Sequence, residues 1–126
     1  MDDRKRREAG TKVRREVLGN THVDRAKAHE TDFNADFQDL ITRYAWGEIW
    51  DRPGLSKKTR SLLTIAMLVA LNRNDELRLH LRAAFNNGVT QEDIREVLLH
   101  SAIYCGVPAA NSAFHIASEI LKEENK

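Results

Sequence analysis

The chain is short of several things, and each shortage removes a class of function. It has one cysteine, Cys105, in 126 residues. One thiol cannot close an intramolecular disulfide, form a Cys-x-x-Cys redox pair or build a thiolate zinc site, and it favours a reducing compartment. Net charge is +1, so no global field recruits nucleic acid or an acidic membrane. The basic run "RKRREAGTKVRRE" at the N-terminus reads as one solvated helix face. The longest apolar run, "LLTIAMLVAL" over 62–71, is far shorter than the roughly 20 residues of a membrane span. No apolar leader opens the chain, and the expected location is the cytoplasm. His22, His29, His100 and His115 have no partners at metal-ligand spacing, and there is no His-Glu-x-x-His. No metal is expected. Strand-like alternation, internal repeats and low-complexity linkers are also lacking.

What is present is helical periodicity in an all-α, single-domain chain, residues 1–126. Residues 2–18 form a charged helix stopped at Gly19. "DRAKAHE" makes a short second helix. In "DFNADFQDLITRYAW" the residues Phe33, Phe37, Leu40, Ile41 and Tyr44 make one apolar stripe, with Thr31 or Asp32 as cap. Pro53 and Gly54 break the chain, and Ser56 caps a helix over 57–72. Its body, Leu62 to Leu71, is apolar nearly all round, the signature of a helix buried on all sides, in a chain this small a central helix shielded by its own chain or by a partner subunit as well. A helix over 75–87 ends at Gly88. Thr90 and Asp93 have capping-box spacing and start a helix through Tyr104. Gly106 ends it, and Pro108 opens the last helix, which runs to Lys122.

Two stretches carry residue types that do chemistry. On a helical wheel of 75–87, at about 100° per residue, Leu77, Leu81, Ala84 and Phe85 form the core stripe. Glu76 and His80 lie together on one flank with small Ala83 beside them, and Arg78 and Arg82 lie on the other. A carboxylate one turn from an imidazole can orient it and raise its pKa. The same spacing also describes an ordinary surface pair worth a few tenths of a kcal/mol. The second stretch, "RYAWGEIWDRPG", gathers Arg43, Tyr44, Trp46, Glu48, Trp50 and Arg52 around a glycine. It is either a helix end pinned by aromatic rings or a dry wall of Trp46 and Trp50 that makes Glu48 a general acid. Arg60, at a helix start, opposes the macrodipole; it either snorkels or binds a carboxylate. Tyr104 and Asn111 flank a Gly-Pro junction and either pack helices or face a pocket. Cys105 reads as a small core residue.

"ITRYAWGEIWDRPGL", "TRSLLTIAMLVALNRNDELRLHLRAAFNNGVT" and "AIYCGVPAANSAFH" closely resemble the carboxymuconolactone decarboxylase family of the alkylhydroperoxidase D-like superfamily. The resemblance covers nearly the whole chain. It implies a small all-helical protomer, usually a hexamer, working without a cofactor on a small anionic lactone. The implied reaction is decarboxylation of a carboxylated muconolactone to its enol-lactone. His80, Glu76 and Glu48 become candidate catalytic residues. Arg60, Arg78, Arg82, Arg43, Trp46, Trp50, Tyr104 and Asn111 become candidate substrate contacts. The redox branch of the superfamily carries Cys-x-x-Cys-x-x-x-His. With its histidine placed on His80, Arg73 and Glu76 stand where the two cysteines would be, so disulfide chemistry through that motif is unavailable.

Overall fold

A computed structural model describes residues 2–124. It contains α1 (Asp3–Leu18), α2 (Asn20–Ala28), α3 (Ala35–Ile41), a π-helix (Thr42–Trp50), α4 (Lys57–Ala70), α5 (Asn74–Ala84) with a 3₁₀ turn (Phe85–Asn87), α6 (Gln91–Cys105) and α7 (Val107–Glu124). There is no strand among the described residues, as the periodicity required. The chain separates into two compact units, one up to Lys57 and one from Lys58 onward.

The first unit is built on the pairing of α1 with the π-helix. Asp2 caps α1 by accepting from the Lys5 N–H at 2.8 Å, and the Gly19 N–H closes its end on the Arg15 carbonyl at 2.9 Å. α1 is polar on most faces and buries only Gly10, Val13, Val17 and Leu18. Two glycines allow the close approach. A Cβ on Gly10 would collide with the Thr42 carbonyl oxygen, and one on Gly47 with the Arg6 carbonyl oxygen. Both obstacles are backbone, so the crossing tolerates no side chain.

The helical register expected across 32–46 is interrupted. α3 ends at Ile41, and the next nine residues form the wider i→i+5 helix. A stripe read at one period therefore does not continue through Thr42. Phe33, Phe37, Leu40 and Tyr44 lie exposed rather than in a core, with Phe33 97% accessible. The turn before α3 is held by Asn34, whose Oδ1 accepts from the Thr31 N–H at 2.8 Å, not by a cap from Thr31 or Asp32. The second helix begins at Asn20, earlier than its charged stretch indicated.

The second unit has a true apolar core. Ile65 and Val69 of α4, Leu77, Leu81 and Ala84 of α5, Ile94 and Leu98 of α6, and Ala113, Ile116, Ala117 and Ile120 of α7 pack into one cluster. Each fully buried Leu or Ile contributes about 1.5–3 kcal/mol relative to exposure. The turn between α5 and α6 uses Gly88 at φ +85°, where a side chain would be strained. The capping box forms as read: Asp93 N–H donates to Thr90 Oγ1 at 3.1 Å, and Thr90 N–H donates to Asp93 Oδ2 at 2.9 Å. The Thr90 N–H, then its hydroxyl and nearby Lys58, hold the Asp93 carboxyl below its ordinary pKa.

Within the chain itself α4 is covered on one face only. Ser61, Ile65 and Val69 form its one buried stripe, while Leu63, Met67 and Leu71 are exposed. Within its unit, the neighbours of α4 cover a single face. α7 begins at Val107 with Pro108 second, a position where a missing N–H still costs nothing.

Candidate active site

α5 presents the arrangement the wheel described. Its inner face is Leu77, Leu81 and Ala84, all essentially inaccessible. One flank carries Glu76, exposed, and His80, half-buried, one turn apart. Ala83 is itself buried in the packing rather than leaving open room beside that pair.

The other flank is engaged within its own unit. Arg78 Nη1 donates to Glu119 Oε2 of α7 at 2.5 Å. One turn on, Arg82 meets Glu123 through Nε at 2.9 Å and Nη2 at 3.1 Å. Arg78 holds the Glu119 carboxyl below its ordinary pKa, and the bond to Glu123 raises that of Arg82. His115 Nε2 lies 3.2 Å from the other Glu119 oxygen. The sequence carried a signal for this ladder that the reading missed: Arg78 and Arg82 share a four-residue spacing with Glu119 and Glu123.

Arg60 is half-buried in the first turn of α4, where its carbonyl accepts from the Thr64 hydroxyl at 2.8 Å. The next residue, Ser61, is buried and receives a hydrogen bond from Asn87 Nδ2 at 2.9 Å. Asn87 also donates to the Ala83 carbonyl at 3.2 Å. That amide ties the start of α4 to the end of α5, so Arg60 sits on a pinned turn. Tyr104 is 78% exposed and stacks on His100 at 5.0 Å between centroids. Asn111 is exposed in α7, and Cys105 is half-buried rather than in the core.

In the first unit the π-helix brings Arg43, Tyr44 and Glu48 to one shallow concavity of about 100 Å³, with Asp3 and Arg6. Trp46 is buried and stacks on half-buried Trp50, centroids 5.1 Å apart and planes tilted by 34°. The two rings contact each other, while the Glu48 side chain is half-exposed with one oxygen 3.8 Å from Arg6 Nε. The aromatic desolvation expected for Glu48 is therefore not provided within this unit. Arg43 is anchored by Asp39 at 2.8 Å and faces Asp3 at 3.6 Å. Asp39 also binds Arg7 at 2.6 and 3.3 Å. Hydrogen bonds from Arg7 and then Arg43 lower its pKa to about 2. The sequence reading missed Asp39, although it stands i,i+4 from Arg43. Among the described residues no group of His, Cys, Asp or Glu is arranged to hold a metal ion. No described helix is long and apolar enough to cross a membrane.

These features define a small all-helical protein whose chemistry-bearing residues sit on helix flanks, with Glu76 and His80 one turn apart on α5 beside an apolar core. Residues 35–119 match the carboxymuconolactone decarboxylase family, and the chain belongs to it. It is 55% identical over 123 residues to the 4-carboxymuconolactone decarboxylase of Acinetobacter baylyi, covering 98% of this chain and 92% of that protein. It is 45% identical over 114 residues to the nitrosuccinic acid decarboxylase of Metarhizium robertsii, covering 90% and 80% of the two chains. A 48-residue sequence of the 4-carboxymuconolactone decarboxylase of Pseudomonas putida is 52% identical over its whole length.

Proposed function

We propose that this chain is a cofactor-independent carbon–carbon lyase that converts 4-carboxymuconolactone to the enol-lactone of 3-oxoadipate and CO₂, in the protocatechuate branch of the β-ketoadipate pathway. One observation carries the reading: 55% identity to a protein of that name over nearly the full length of both chains. The family match runs from α3 to α7, which supports treating residues 1–126 as one functional domain.

The substrate is an unsaturated γ-lactone whose ring carbon beside the ring oxygen bears a carboxylate and a carboxymethyl group. When the bond to the carboxylate carbon breaks, CO₂ leaves and the electron pair stays on the ring. It delocalises through the alkene to the lactone carbonyl, so the ring is its own electron sink. Protonation at the α-carbon then gives the enol-lactone, and the donor recovers its proton from solvent. The protein has to hold the spectator carboxylate, stabilise the dienolate oxygen and deliver one proton.

His80, oriented by Glu76, is the proposed proton donor or dienolate stabiliser, with Glu48 as the alternative acid. The half-exposed setting of Glu48 beside Arg6 favours His80. Arg60 is the proposed anchor for the spectator carboxylate. Arg78 and Arg82 hold carboxylates of α7, and Arg43 holds Asp39; these three are the proposed reserves. Trp46, Trp50, Tyr104 and Asn111 are the proposed wall contacts. The assembly is proposed to be a homohexamer in the cytoplasm. The exposed Leu63, Met67, Leu71, Ile103 and Val107 support association, since apolar surface of this kind marks an interface.

The match to a nitrosuccinic acid decarboxylase favours one second reading. Nitrosuccinate and carboxymuconolactone share a fragment: a carbon bearing a carboxylate, a carboxymethyl group and an electron sink. In nitrosuccinate the sink is the nitro group, which takes the electron pair as a nitronate. A site built for the shared fragment would accept either compound.

The test is to add freshly prepared 4-carboxymuconolactone and follow CO₂ release together with loss of substrate absorbance. Stoichiometric CO₂ supports the lyase. Lactone loss without CO₂ indicates a lactone hydrolase or isomerase. No change removes the enzymatic reading of this substrate, and a parallel run with 2-nitrosuccinate decides the second.

A further inference from the structure

We propose that the open cleft lined mainly by α1, α2 and α3 is a binding site for a small oxyanion, apart from the residues assigned to the decarboxylation. The cavity has a volume of about 290 Å³, at the lower end for ligand pockets and suited to a compact metabolite or inorganic anion. Its wall carries four cations, Arg7, Arg14, Arg15 and Lys27, against two carboxylates, Glu30 and Asp39.

Pairing the charges sharpens the imbalance. Asp39 is held between Arg7 and Arg43. Arg15 is bound to Asp24 at 2.8 Å and to Asn20 at 3.2 Å. Among the described residues, Arg14 and Lys27 have no carboxylate within ion-pair distance. Burial lowers the Arg14 pKa, and Glu30 opposes that shift without an ion pair to it.

Arg14 is the most deeply set cation of the cleft wall that lacks a carboxylate partner among the described residues. It is half-buried, and its Nη2 donates to Gln38 Oε1 at 3.3 Å. Its Nε lies fully out of solvent with no acceptor. A buried donor without a partner costs about 1–3 kcal/mol, more on a charged group, and calls for an explanation in a native structure. Arg14 also lines the cavity, which places its guanidinium charge beside any anion held there. The local field agrees. After burial itself, Arg14 and Arg25 push the nearby His22 imidazole below its ordinary pKa, as a region of positive potential does.

The shared ligand chemistry is two or more oxygens with at least one negative charge. Its source is either a small dicarboxylate or inorganic phosphate. The experiment is calorimetric titration of the full chain with sodium phosphate and, separately, with sodium succinate at constant ionic strength. Arg14→Gln should weaken the bound anion at least tenfold, and Lys27→Glu severalfold. Lys12→Glu makes the same charge change on α1 away from the cavity and should leave affinity unchanged. Circular dichroism confirms folding of each variant, and exposed Lys27 keeps the test valid if Arg14→Gln does not fold. Phosphate-only binding assigns the inorganic source, and succinate-only binding the carboxylate source. The proposal is overturned if neither anion binds saturably, or if Lys12→Glu weakens binding as much as Lys27→Glu. It is also overturned if succinate binding survives Arg14→Gln but is lost in Arg60→Ala, which would assign it to the decarboxylation site. Turnover of the lactone is read independently in every variant.

Discussion

The two units of this chain are both helical, yet they are held together by different physics. From Lys58 onward, four helices share a closed cluster of aliphatic side chains, and the charges on α5 and α7 lie outside it as a ladder. Up to Lys57 there is little core. α1 buries two valines, a leucine and a glycine, and the unit relies on a glycine crossing plus arginine–carboxylate bonds around Asp39. Apolar burial is insensitive to salt and pH, whereas exposed ion pairs respond to both. The units should therefore fail under different conditions.

The largest effect is expected in the aliphatic core. Leu81→Ala removes a fully buried side chain and should cost about 2–5 kcal/mol, read by chemical denaturation, with little dependence on salt. A loss under 1 kcal/mol would mean that the cluster collapses around the deletion and is not closely packed.

The matching change in the first unit is Gly10→Ala. The added carbon meets the Thr42 carbonyl oxygen, and the α1–π-helix crossing should loosen at a cost of about 1–3 kcal/mol. Hydrogen exchange should show faster opening of α1 and the π-helix, with α5–α7 unchanged. Equal acceleration in all helices would erase the distinction between the units.

Acid offers a finer test. The Asp39 pKa lies near 2 in the folded chain against 3.8 in its absence. A depressed carboxylate pKa contributes stability that is fully present above the unfolded value and is lost as pH falls through the folded one. Wild type should lose part of the first unit's stability between about pH 4 and pH 2, and Asp39→Asn should flatten that segment of the curve. An unchanged acid limb would remove Asp39 as the keystone. The smallest effect belongs to the ladder on α5: Arg82→Ala should cost about 0.2–1 kcal/mol, reduced further at high salt.

The same contrast explains what could be read from sequence. The second unit was legible because one helical period runs through each of its segments. Leu77, Leu81 and Ala84 fell on one face, and Thr90 with Asp93 announced a helix start that the structure forms in detail. The first unit was less legible because its organisation depends on a change of period. The π-helix from Thr42 breaks the stripe begun at Phe33, and no local residue signals the extra backbone spacing. α4 illustrates a different limit. Its apolar residues show that several faces seek cover, but not how many the unit supplies, and Leu63, Met67 and Leu71 remain outside. Of the candidate site, the flank of Glu76 and His80 was visible from spacing. The capture of Arg78 and Arg82 by α7 was not, because it depends on which helices lie side by side.

The contrast extends to chemistry, since one candidate acid lies in each unit: His80 on α5, and Glu48 on the π-helix beside Arg6. The most direct test of the account is kcat for CO₂ release from 4-carboxymuconolactone by His80→Ala, measured alongside Glu48→Gln with folding verified for both. His80→Ala should lower kcat by roughly 10²- to 10⁴-fold, and Glu48→Gln should leave the pH–rate profile unshifted. A near-wild-type kcat in folded His80→Ala, with the acid limb displaced in Glu48→Gln, would contradict it and move the proton donor to the first unit.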